Sequence, residues 1–189
     1  MILLPDNEYA VVLDACVLVP MPLCDTLLRL AQNPAMYRAL WSEEILAEVA
    51  KAIQFSLGYS AEQTDRRITT MREAFPEAII SAPASLDKAF DCIPDPKDRH
   101  VLSVAVTGHV HAIVTNNVKD SPEDCLKQFG ILRHTADDFL IHQYWINPDS
   151  ILDVLDHQSQ ARRKTREDLL TGLTPEAPQF AKLIRAMHT

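Results

Sequence analysis

The chain has 189 residues, 47% hydrophobic and 23% charged, with a formal net charge of −8. These figures describe an ordinary globular protein, long enough to bury a core without staples: one domain with room for an appended segment. The acidity speaks against broad, non-specific nucleic-acid binding, but not against a nuclease, whose acid cluster lowers net charge while local basic patches grip phosphate.

The four cysteines, Cys16, Cys24, Cys92 and Cys125, are widely spaced and form no C-x-x-C pair. A zinc or redox motif needs closer spacing, so the expectation is buried or free thiols in a reducing compartment. Residues 1–10 carry Asp6 and Glu8 but no basic region, and their apolar stretch is too short for a signal peptide. No segment approaches the roughly 20 apolar residues that span a bilayer. A soluble, cytoplasmic protein with no membrane contact is expected.

In chain order, residues 9–13 (Tyr-Ala-Val-Val-Leu) read as a buried strand that stops at Asp14. A helix entered at Pro22 carries Leu23, Leu27 and Leu30 at helical spacing. After a loop near Asn33-Pro34, residues 39–41 form a short strand, and Ser42 caps a helix over 43–55. A polar helix is predicted over 61–75, then a short strand over 78–80. Asp95 followed by Pro96 starts a helix that runs to Gly108. Residues 111–115 are the next strand. A short helix over 122–129 precedes Gly130, residues 131–132 are a weak strand, and 135–145 a further helix. From Pro148 onward the pattern is helical only, and Phe180, Leu183, Ile184 and Met187 make an apolar stripe expected to pack on the domain. Short apolar strands alternating with helices predict an α/β fold whose mostly parallel sheet is covered on both faces.

In open α/β sheets, ligands bind beyond the carboxyl ends of the strands. Asp14 follows one strand directly, Asn117 and Asp120 follow another, and Asp98 lies in the first turn of a helix leading into a strand. Like charges gathered there resist joint ionisation unless a cation sits between them, and an oxygen-only donor set suits Mg²⁺ or Mn²⁺. Each acid also has a plainer reading: Asp14 as a turn or cap residue, Asp98 as a favourable charge at a helix N-terminus, Glu48 as a surface partner of Lys51. Glu48 flanks the stripe of Ile45, Leu46, Val49 and Ile53 instead of opposing it. The run Arg162-Arg163-Lys164-Thr165-Arg166 reads as a solvated face or as a contact for RNA phosphates, and Arg66, Arg67 and Arg72 form a second basic candidate.

Four segments carry a family resemblance: Val11-Val12-Leu13-Asp14-Ala15-Cys16-Val17-Leu18, Ser42-Glu43-Glu44-Ile45-Leu46-Ala47-Glu48-Val49, Asp95-Pro96-Lys97-Asp98-Arg99-His100-Val101-Leu102, and Ile113-Val114-Thr115-Asn116-Asn117. Each is weak alone, but in this order they resemble the PIN-domain family, especially the VapC-type toxins of bacterial toxin–antitoxin pairs. The resemblance implies a PIN-like three-layer α/β/α domain over 1–146 with a helical extension over 147–189. It implies a Mg²⁺-dependent (or Mn²⁺-dependent) endoribonuclease, a hydrolase leaving a 5′-phosphate and a 3′-hydroxyl. Asp14, Asp98 and Glu48 would be the metal-binding acids. The family's fourth acid falls on Asn117, so Asn117 or Asp120 would fill that role, and Thr115 would orient a carboxylate or water. Thr115, Arg162, Arg163 and Lys164 would face the RNA substrate. A homodimer and a cognate antitoxin are implied as partners. The rival readings are a non-catalytic PIN module, which Asn117 keeps open, and a haloacid-dehalogenase-type phosphatase, disfavoured because Cys16 stands where that class needs a second Asp. A nucleotide-binding fold is disfavoured by the four glycines, none in a phosphate-cradling loop.

Overall fold

A computed structural model describes residues 9–188. The reading of the N-terminal ten residues therefore falls almost wholly outside the described part. Four short strands, β1 (Ala10–Leu13), β2 (Arg38–Leu40), β3 (Ala112–Val114) and β4 (Leu132–His134), form one sheet in the order β2-β1-β3-β4, with every pair parallel. Val11, Val12 and Leu13 of β1 are completely buried, as a central strand covered on both faces requires. Parallel pairing needs crossovers, and helices supply them: α1 (Ala15–Leu18), α2 (Met21–Gln32), α3 (Glu43–Leu57), α4 (Ala61–Ala74), α5 (Arg99–Thr107), α6 (Glu123–Lys127) and α7 (Ala136–Ile146). The result is the expected α/β/α layering.

Local chemistry sets the helix ends. The Ser42 side chain accepts from the Ile45 amide at the start of α3, and Ser60 with Gln63 forms a capping box at the start of α4. Gly58 closes α3 with φ +69°, a left-handed conformation open to glycine without strain.

Three expectations need correction. Residues 78–80 are no strand: Pro76 initiates a 3₁₀ turn, and only a single Trp41–Ile79 bridge joins this segment to the sheet. The helix expected from Asp95 is divided, a 3₁₀ turn over Pro96–Asp98 leading into α5, and Asp95 caps only that turn through the Lys97 amide. The cysteines are not all thiols. Cys92 and Cys125 form a disulfide across 33 positions, while Cys16 and Cys24 are free. Sequence spacing does not report that pair, because folding brings the segments together, with Phe90 stacked edge-on against Phe129 beside the bridge.

The remaining helices, α8 (Pro148–Ala161), α9 (Arg166–Leu173) and α10 (Pro178–Met187), pack on α2 and α7. Their junction is tightly made. Thr26 on α2 and Gln158 on α8 are fully buried and joined by a 2.7 Å hydrogen bond, and Gln158 also donates to the Pro22 carbonyl. Asp137 on α7 accepts from the Gln179 and Phe180 amides at the start of α10. Of the apolar stripe, Phe180 and Ile184 are buried and Met187 is exposed. No helix among the described residues is long and apolar enough to cross a membrane.

Candidate active site

Adjacent parallel strands end together, so the residues after β1 and β3 share one edge of the sheet. Asp14 is tied to that edge through its backbone, its amide donating to the Val114 carbonyl. Its carboxylate is held at both oxygens. Oδ1 accepts from the Ala15 amide at 2.7 Å, while Oδ2 accepts from the Thr115 hydroxyl at 2.6 Å and from the Cys16 thiol at 3.2 Å. Thr115, fully buried, also accepts from the Asn117 amide. Burial, reinforced by the charge on Asp14, pushes the Cys16 thiol up to about 12, so the group stays protonated and donates. Cys16, weighed in the sequence as the residue that disfavours a phosphatase, is a site residue. Its place two positions after Asp14 was the only signal.

Asp98 is the opposite case. It ends the 3₁₀ turn and begins α5, yet its side chain makes no capping hydrogen bond. Partial burial, then the charges of Asp120, Asp14, Asp95 and Glu48 in that order, push its carboxyl up to about 6. Of the two cations beside it in sequence, Lys97 and Arg99, the latter is turned away into a 3.1 Å pair with Asp91. Asp14, Glu48, Asp98 and Asp120 thus form one electrostatic neighbourhood. Asp120 is the charge felt most strongly at Asp98, whereas Asn117 contributes its backbone amide to Thr115.

Glu48 meets not Lys51 but His100, whose Nε2 lies 3.5 Å from Glu48 Oε2. Burial alone would lower the ring's pKa, but the Glu48 carboxylate, with the Lys97 carbonyl and Glu44 in support, outweighs it and raises the value to about 9. Asn116 faces elsewhere, accepting from the Ala136 amide at the start of α7 and donating to Glu176 of the C-terminal segment.

The basic run lies on the turn between α8 and α9. Arg162 pairs with Asp25 at 3.0 Å and Arg166 with Asp156 at 2.6 Å, while Arg163 and Lys164 are exposed and form no ion pair among the described residues. None of these cations is hydrogen-bonded or ion-paired to the four acids. Of the second basic candidate, Arg66 pairs with Glu62, Arg72 with Glu43, and Arg67 donates to the Leu18 and Val19 carbonyls.

The donor set consists of carboxylates with one hydroxyl, and its charges repel. That chemistry fits a hard divalent cation, which is usually held through one or two carboxylates and several waters. Among the described residues, no three acids already stand as a closed cage.

A doubly covered parallel sheet with acids gathered at its carboxyl edge defines a class, and the sequence comparisons agree on which. The PIN-domain family matches residues 10–119, more than half the chain, and the protein belongs to that family. A relative from Mycobacterium tuberculosis (strain ATCC 25618 / H37Rv), named "Putative ribonuclease VapC50", is 37% identical over 95 residues, 48% of this chain and 56% of its own length. The match therefore spans little more than half of that relative. No solved structure matches the chain.

Proposed function

We propose that this protein is a metal-dependent endoribonuclease and the toxin of a type II toxin–antitoxin pair, working in the cytoplasm as a homodimer. One observation carries the reading: a carboxyl at the sheet edge, Asp98, is surrounded by like charges and has no paired cation among the described residues. The ribonuclease name of its relative supports the choice of RNA as substrate and of an antitoxin as partner. The PIN domain would occupy 1–146 and the helical extension 147–189, a division supported by the purely helical elements after Asn147.

Asp14, Asp98 and Glu48 would hold Mg²⁺ or Mn²⁺, with Asp120 in place of the acid that Asn117 lacks. A cation held there would supply Lewis-acid activation of water and offset charge on the phosphate. Asp14 contributes a carboxylate whose direction is fixed by Thr115, Cys16 and the Ala15 amide, so its orientation costs nothing when substrate arrives. Asp98, partly buried among like charges and without an ion pair among the described residues, is the acid whose charge a cation would relieve most. Arg163 and Lys164, exposed and without ion pairs among the described residues, are the members of the basic run placed to meet phosphate, while Arg162 would first have to leave Asp25.

The test is cleavage of total bacterial RNA by the purified chain with Mg²⁺ or Mn²⁺, beside Asp14→Asn and Asp98→Asn. Discrete fragments with 5′-phosphate ends, lost with EDTA and in both variants, are expected. Equal cleavage by the variants, or none by the metal-loaded native protein, would replace this reading with that of a non-catalytic RNA- or protein-binding module.

A further inference from the structure

His100 stands between two of the acids. Its ring is 4% exposed on α5, and its Nδ1 lies 2.6 Å from the carbonyl of Lys97, the residue immediately before Asp98. Its Nε2 is buried, makes no full hydrogen bond, and points at Glu48 Oε2 at 3.5 Å. Glu48 has a side chain 41% exposed and forms its one ion pair among the described residues with this ring. A glutamate on a half-exposed helix face has three free torsions and, left to itself, samples water. A buried imidazole with two torsions, already anchored at one nitrogen, does not.

We propose that His100 is a positioning residue that holds Glu48 in the acid cluster and, through the Lys97 carbonyl, fixes the separation between Glu48 and Asp98. It touches neither substrate nor cation and acts through the acid it orients, as outer partners of metal ligands do. The Lys97 carbonyl anchors the ring at Nδ1, so the opposite, buried edge is left facing the Glu48 carboxylate, and the two contacts lie at fixed ends of one rigid ring. The inference rests on the proposed reading of Glu48 as an ion-holding acid.

Two substitutions separate the ring's two contacts. The amide of His100→Asn reaches the place of Nδ1 and keeps only the Lys97 contact, whereas that of His100→Gln reaches the place of Nε2 and keeps only the Glu48 contact. In the full chain, Mn²⁺ binding by calorimetry and RNA cleavage are expected to fall about 10–100-fold in His100→Asn. KM for RNA should stay unchanged, and His100→Gln should recover most of the loss. Equal defects in the two variants, or the milder defect in His100→Asn, would overturn the proposal. A second measurement needs no substitution at His100. The His100 ring ¹⁵N resonances, followed by NMR in the native chain, should shift in Glu48→Ala; unchanged ring resonances would overturn the proposal too. If the native chain neither binds Mn²⁺ nor cuts RNA, the nuclease reading fails, while the NMR result still decides whether His100 holds Glu48.

Discussion

The sheet edge and the junction between α2 and α8 place polar groups in contrasting ways. At the junction, Thr26 and Gln158 are completely buried and hydrogen-bonded to each other and to Pro22. At the sheet edge, Asp98 is left beside Asp120, Asp14, Asp95 and Glu48 with no capping bond. The junction is built to be stable by itself; the edge is stable only at a cost that a cation would remove. The polar groups of this junction satisfy one another within the chain, whereas Asp98 is left in need of something outside it.

The largest expected effect breaks the edge alone. Asp14→Asn should lower RNA cleavage by more than about 100-fold, beyond the range of losses at outer partners of a metal site, and leave the circular-dichroism melt near the native one. A comparable collapse of the melt would mean that Asp14 belongs with the structural group. Thr26→Val does the reverse. It strands the Gln158 side-chain oxygen in the core and should cost about 1–3 kcal/mol in urea unfolding with kcat unchanged.

Asp98→Asn should stabilise the metal-free protein at pH 7. The folded carboxyl titrates at about 6, above its ordinary 3.8, so its favourable contribution is complete below 3.8 and is lost as pH rises through 6. Discounted for solvent screening, the gain at pH 7 is about 1 kcal/mol, or about 2–4 °C in Tm. It should vanish near pH 3.5 and reverse when Mn²⁺ is added. A native-like melt at pH 7 would show that the acids repel less than their placement implies. The smallest effect separates the cations of the α8–α9 turn. Arg163→Ala with Lys164→Ala should leave stability unchanged and flatten the salt dependence of RNA binding by about one unit of slope per lost contact. Arg162→Ala should cost less than about 1 kcal/mol through the exposed Asp25 pair.

Much of this protein was determined by the sequence itself. Residues 9–13 and 111–115 read as strands, Ser42 read as a helix cap, and the order of the acid-bearing motifs pointed to a PIN domain. Those features are local, set by side-chain period, capping chemistry and chain order. Contacts between distant segments were decided by the tertiary structure. It gave Glu48 the partner His100, 52 positions away, instead of nearby Lys51, and made Asp120 the strongest charge on Asp98. It also set Cys16 against Asp14 and Thr115, bonded Cys92 to Cys125, and occupied Arg162 with Asp25. Local propensity cannot specify which side chains two crossovers bring face to face, because that depends on how a whole sheet is ordered and covered.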